Sequence, residues 1–156
     1  MKLRYKLIAT GLGLGYIPKA PGTMGALGGC MVALLLNQYT IWPNELLFLL
    51  IVIFFLSGVY CSNKLEPVWG KDPSKIVIDE VVGMWISLWA LPTGWIYILA
   101  AFILFRFFDI YKPLFIRKLE KLKGGWGVMM DDVLAGIYTN LVIQLFVILA
   151  KVLKSQ

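Results

Sequence analysis

Long stretches of this chain carry no charged side chain at all, and they limit its possible folds more than any motif does. No residue between Lys19 and Glu45 is charged, Leu46 to Cys61 is the plainest apolar run, and Val81 to Phe105 and Val133 to Ala150 are also uncharged. A helix rises about 1.5 Å per residue and the bilayer hydrocarbon is about 30 Å thick, so each stretch approaches the length of a spanning helix. With 60% of its 156 residues apolar, the chain has more oily surface than a small water-soluble domain can hide. The expectation is an all-α integral membrane bundle of about five spans. Residues 1–156 would form a single membrane-embedded domain, because neither an internal repeat nor a low-complexity linker divides them.

Punctuation between the apolar runs sets the expected spans. Pro21-Gly22-Thr23 is a turn signature that predicts an N-cap at Thr23 and a first span starting there. Gly25, Gly28 and Gly29 put small residues on one face, which should pack inward against another helix. Leu46 to Cys61 forms the second span, and Ser62 to Lys75, with Pro67, Gly70 and Pro73 among charges, is expected to be a loop. Pro92 to Gly94 interrupts the stretch from Val81 to Phe105, giving either one kinked helix or a short helical hairpin. A last span covers Val133 to Ala150.

Positive-inside counting separates the two options at Pro92. Arg106 to Lys123 is densely basic and should stay cytoplasmic, which only the hairpin permits. The connections then alternate: basic N-terminus, neutral 37–44, basic 62–75, neutral 92–94, basic 106–123. Lys151 and Lys154, on the outer side in this arrangement, run against the rule. Residues 1–19 lack an apolar core followed by a small-residue cleavage site, so no removable signal is expected. Arg117 to Lys123, with Leu119 and Leu122, predicts an interfacial helix, and Gly124 to Gly127 a flexible backbone. Trp42, Trp69, Trp85, Trp89 and Trp95 fall mostly at boundaries or lipid faces, as interfacial anchors do.

Composition narrows the chemistry. The chain has no histidine, which excludes histidine-ligated zinc, phosphohistidine and imidazole catalysis. Cys30 and Cys61 lack CxxC spacing and are expected to be small packing residues. The net charge of +6 suits anionic lipid headgroups better than nucleic acid. Gly11, Gly13 and Gly15 fail the dinucleotide spacing, because Tyr16 stands where a third glycine is needed.

Five of the nine acidic residues lie at the edges of apolar segments: Asp79, Glu80, Asp109, Asp131 and Asp132. A charge inside the membrane costs on the order of 2.5 to 3.5 kcal/mol, so such residues tend to carry a function. In the hairpin topology all five reach the cytoplasmic face, together with Lys19 and Thr23. A cluster of oxygen ligands suits Mg²⁺, which takes carboxylates, water and phosphate oxygens. Gly83, Ala135 and Gly136 lie one turn beyond the acidic pairs, where neighbouring helices can close in. Arg106, Asp109 and Lys112 follow one another at i, i+3 spacing; Asp109 can bind metal or pair with Arg106, while Arg106 or Lys112 grips a phosphate. The competing possibility is a small cation or substrate transporter whose carboxylates line a path through the membrane.

Four ordered blocks carry a family resemblance. They are Lys19-Ala-Pro-Gly-Thr23 with Gly25, Asp79-Glu-Val-Val-Gly83, Phe105-Arg-Phe-Phe-Asp109 with Lys112-Pro113, and Gly124-Gly125 through Met130-Asp-Asp-Val-Leu-Ala-Gly136. In these the chain resembles the phosphatidylglycerophosphatase A family of bacterial lipid phosphatases. Met24 and Leu114-Phe115 depart from the family pattern without touching a candidate ligand. The resemblance implies Mg²⁺-dependent removal of the terminal phosphate of phosphatidylglycerophosphate, yielding phosphatidylglycerol at the cytoplasmic face of the inner membrane. Asp79, Glu80, Asp109, Asp131 and Asp132 are then expected to hold metal. Asp79, Glu80, Asp131 and Asp132 are the catalytic candidates, and Lys19, Thr23, Arg106 and Lys112 the groups that bind substrate phosphate. Which carboxylate is nucleophile, base or ligand stays open, as do metal count and oligomeric state.

Overall fold

The computed structural model describes residues 3–41 and 43–155, so the expected anchor Trp42 lies outside the described residues. Among them the chain is all-α: α1 (Leu3–Ala9), a 3-10 turn (Leu14–Tyr16), α2 (Pro21–Tyr39), α3 (Pro43–Trp69), α4 (Ile78–Leu88), α5 (Trp95–Tyr111), α6 (Ile116–Leu119) and α7 (Gly125–Lys154). Two of these helices, α3 and α7, are long and apolar enough to cross a membrane, each containing an 18-residue stretch whose mean hydropathy is 2.2 in α3 and 2.1 in α7. Their outer faces present Phe48, Leu49 and Leu56, and Leu141, Leu145 and Phe146, a surface suited to lipid.

Several helix boundaries differ from those expected. Helix α2 begins at Pro21, with Ala20 in the left-handed conformation as its N-cap, so Thr23 lies inside the first turn. Proline is at home there because its missing N–H has no partner in a first turn anyway. Helix α3 runs through the expected loop as far as Trp69 because Ser62 and Leu65 stay buried, giving the polar extension one packed face. Pro67, on the exposed side, costs that extension one backbone hydrogen bond without ending it. The expected interfacial helix at 117–123 is reduced to the single turn of α6.

Helix α7 starts at Gly125, so Asp131 and Asp132 lie within the helix and do not open it, and the expected flexible glycines form its first turn. Those glycines are needed for close approach: a Cβ on Gly127 would meet the carbonyl oxygens of Leu122 and Glu120 at 2.5 and 3.0 Å. Asn63 Oδ1 on α3 accepts a hydrogen bond from Gly125 N–H at 2.8 Å, supplying the cap that Gly124 lacks.

Helix α4 is the hub, packing against α2, α3, α5 and α7. The small residues anticipated on α2 do face inward. A Cβ on Gly25 would reach Val77 at 2.9 Å, and one on Gly29 the carbonyl of Val81 at 3.1 Å. Trp85 is 3% exposed and donates from Nε1 to the carbonyl of Gly29 at 3.0 Å, so it is a core residue and not an interfacial anchor. Cys30 and Cys61 are buried free thiols, as expected of packing residues. At the far end of α4, Asn140 on α7 donates to the carbonyls of Ile86, Ser87 and Trp89 at 3.2, 3.2 and 2.8 Å. The last carbonyls of a helix have no partner within it, and this side chain satisfies three of them.

Candidate active site

The acidic residues converge because three helices meet at one end of the bundle. Asp79 and Glu80 occupy the first turn of α4, Asp109 the last turn of α5, and Asp131 and Asp132 the second turn of α7. The glycines one turn further on permit this. A Cβ on Gly136 would lie 2.5 Å from the carbonyl oxygen of Gly83, and one on Gly83 would lie 2.6 Å from the Phe105 ring and 2.8 Å from the carbonyl of Asp132. Asp79, Asp131 and Asp132 are only 7%, 5% and 3% exposed.

Asp79, Glu80 and Asp132 each offer a carboxylate oxygen, and the three atoms lie within 4.8 Å of one another. Asp109 is close enough for its charge to act on both Glu80 and Asp132. Asp79 Oδ1, Glu80 Oε2 and Asp131 Oδ1 are buried without a hydrogen-bond partner. Clustered buried carboxylates lacking partners are costly unless a cation satisfies them. An all-oxygen donor set of this kind fits a hard divalent ion.

Cationic groups flank the carboxylates. Arg106 pairs with Asp109 through Nη1, while its Nε is buried with no partner. The first turn of α2 closes over Glu80 and Arg106, since a Cβ on Gly22 would come 3.0 Å from the Glu80 carboxyl carbon and 3.2 Å from Arg106 Nη1. Lys112, the left-handed C-cap of α5, donates to Asp131 Oδ2 at 2.6 Å and lies 3.5 Å from Glu120 Oε1. Burial works against the Lys112 charge, but the hydrogen bond and attraction of Asp131, helped by Glu120, prevail and raise its pKa above the ordinary value.

The remaining candidates from sequence are more peripheral. Thr23 is half-buried in the first turn of α2, one residue beyond Gly22. Lys19 is exposed in the preceding segment and forms no ion pair among the described residues. Four contributors were not legible as such: Gly22, Asn63, Glu120 and Asp72, the last near enough for its charge to act on Lys112 and Asp131. Only Gly22, inside the first of the four blocks, carried any local signal. Asn63 and Asp72 act on residues far away in sequence, and Glu120 on one across the turn that follows α5.

The described residues form a helical bundle with an outer apolar surface and a buried, cation-flanked carboxylate cluster at one end, an arrangement suited to a membrane-associated protein that handles a phosphate group. A transport path would distribute its carboxylates through the depth of the bundle, whereas these converge. The sequence matches the phosphatidylglycerophosphatase A family over residues 7–147. It is 44% identical over 140 residues to phosphatidylglycerophosphatase A of Haemophilus influenzae, covering 88% of this chain and 85% of that protein. The corresponding Escherichia coli protein is 39% identical over 136 residues, covering 85% and 77%. A Bacteroides thetaiotaomicron protein, named provisionally as a phosphatidylinositol-3-phosphatase, is 51% identical over 145 residues, covering 88% and 89%. No solved structure matches significantly. The chain belongs to the phosphatidylglycerophosphatase A family and is a phosphatase of that lipid-directed type.

Proposed function

We propose that this phosphatase hydrolyses phosphatidylglycerophosphate to phosphatidylglycerol and inorganic phosphate, in phospholipid biosynthesis at the cytoplasmic face of a bacterial inner membrane. The observation that carries this reading is the trio Asp79, Glu80 and Asp132, with oxygens within 4.8 Å of one another, beside Arg106 and Lys112. Mg²⁺ is the ion this oxygen set suits, with Asp109 as an additional ligand, while Asp131, whose Oδ2 is bound to Lys112, keeps its other oxygen free to act as a base. Such an ion, when bound, stabilises charge on phosphoryl oxygens and lowers the pKa of a coordinated water.

The chain's own groups do the rest. Arg106, through the Nε hydrogen that no side chain takes, and Lys112 bind phosphate oxygens, with Lys19 and Thr23 at the rim. Asp131 Oδ1, buried and without a partner, accepts the proton of the attacking water. Asp79, Glu80 and Asp132 would hold the ion. Water oxygen bonds to phosphorus, the bond from phosphorus to the glycerol oxygen breaks, that oxygen takes up a proton from solvent, and Asp131 releases to solvent the proton it accepted.

Residues 1–156 act as one domain of five spans, α2, α3, a hairpin of α4 and α5 turning at Pro92 to Gly94, and α7. At 11 residues α4 rises only about 16 Å, so the connecting residues 89–94 complete its half of the hairpin. The basic segment 106–123 then stays cytoplasmic, and the tail with Lys151 and Lys154 lies outside.

The Bacteroides relative favours a second reading, a phosphoinositide monoester, which would present the same phosphate to the same groups. Purified protein in detergent with Mg²⁺, offered phosphatidylglycerophosphate and phosphatidylinositol 3-phosphate side by side, should release phosphate faster from the first, and EDTA should stop it. Failure to release phosphate from phosphatidylglycerophosphate overturns the assignment.

A further inference from the structure

Lys112 is held by two carboxylates of unequal standing. Asp131 Oδ2 takes a hydrogen bond from its ammonium at 2.6 Å, whereas Glu120 Oε1 lies at 3.5 Å, an electrostatic contact longer than a normal hydrogen bond. The Asp131 side chain is 7% exposed and the Glu120 side chain 40%. Glu120 can therefore leave for water at little cost, and Asp131 cannot. Asp132 and Asp72 also act on the Lys112 charge, so an incoming phosphate oxygen meets carboxylates already gathered around this ammonium.

The backbone beneath Glu120 is fixed while its side chain is exposed. Gly127 on α7 admits the carbonyl oxygens of Glu120 and Leu122 so closely that a Cβ would meet them at 3.0 and 2.5 Å, which seats this turn on the helix. Glu120 is also absent from the trio whose oxygens lie together.

We propose that Glu120 occupies the phosphate-binding side of Lys112 in the free protein and competes with phosphate for it. It thereby sets the affinity of the site for the substrate monoester and for the inorganic phosphate released. Binding of a phosphate oxygen at Lys112 displaces the Glu120 carboxylate into solvent, and its return favours release of product. The proposal rests on the phosphatase reading of this site.

Two measurements separate its fate from that of the substrate assignment. Inorganic phosphate, titrated against full-length protein with Mg²⁺ and followed by thermal shift, needs no turnover; Glu120→Gln should bind it about two- to fivefold more tightly than wild type. With whichever lipid phosphate is hydrolysed, the inhibition constant for inorganic phosphate should fall by a similar factor, and the difference should shrink at high salt. Glu120→Ala should move both values in the same direction, which covers a local folding defect in either variant. A decrease smaller than about 1.5-fold in both variants, or weaker phosphate binding, overturns the proposal. Inactivity on phosphatidylglycerophosphate alone would overturn the headgroup assignment and leave the binding comparison standing.

Discussion

Gly136 on α7 meets Gly83 on α4 at backbone distance: a Cβ on Gly136 would lie 2.5 Å from the Gly83 carbonyl oxygen. That contact brings Glu80, three residues before Gly83, close to Asp132, four before Gly136. Gly136→Val should push the helices apart, destabilise the protein by about 1–3 kcal/mol and lower phosphate release by two orders of magnitude or so. Melting curves and turnover measured together check it; wild-type turnover in a folded variant would show that this contact does not set the site.

Removing one carboxylate from the cluster should divide stability from activity. In Asp79→Asn and Asp132→Asn, mutual repulsion among buried charges falls, so the metal-free melting temperature should stay level or rise. Turnover should drop by about a hundredfold or more, and stabilisation by Mg²⁺ should disappear. A thermal shift series with Mg²⁺ and EDTA tests this. Unchanged Mg²⁺ stabilisation in both variants would remove the pair from the metal site.

Breaking the Lys112 pair should act in the opposite sense. Lys112→Met leaves Asp131 buried without its cation, at a cost of about 3 kcal/mol. Adding Asp131→Asn should recover most of that stability but none of the activity. A double-mutant cycle on chemical or thermal unfolding gives the coupling; additive effects would mean the two side chains do not interact in the folded protein.

Asn140 offers a test of architecture apart from chemistry. Asn140→Ala strips the carbonyls of Ile86, Ser87 and Trp89 of their side-chain donor, for a loss of about 1–2 kcal/mol. Asn140 lies eight residues beyond Asp132, about 12 Å along the helix, so Mg²⁺ stabilisation should persist. Loss of Mg²⁺ stabilisation would show that the two ends of α4 are coupled.

The sequence by itself determined the all-α class, the apolar segments, the five acidic residues and the small residues that let helices approach them. Each follows from a local rule: uncharged length, the cost of charge in an apolar environment, and the missing Cβ of glycine. The same logic misjudged Ser62 to Trp69, where Pro67 and the charges indicated a loop but burial of Leu65 keeps α3 helical. It also made Trp85 an anchor, when its indole N–H is bound to Gly29 in the core. Only the tertiary structure decided that Asn63 caps α7, that Gly22 closes over Glu80 and Arg106, and that Lys112 is shared between Asp131 and Glu120. These pairings join residues from separate elements, and no periodicity or turn rule within one segment encodes which distant side chain will satisfy a buried charge or a free helix end.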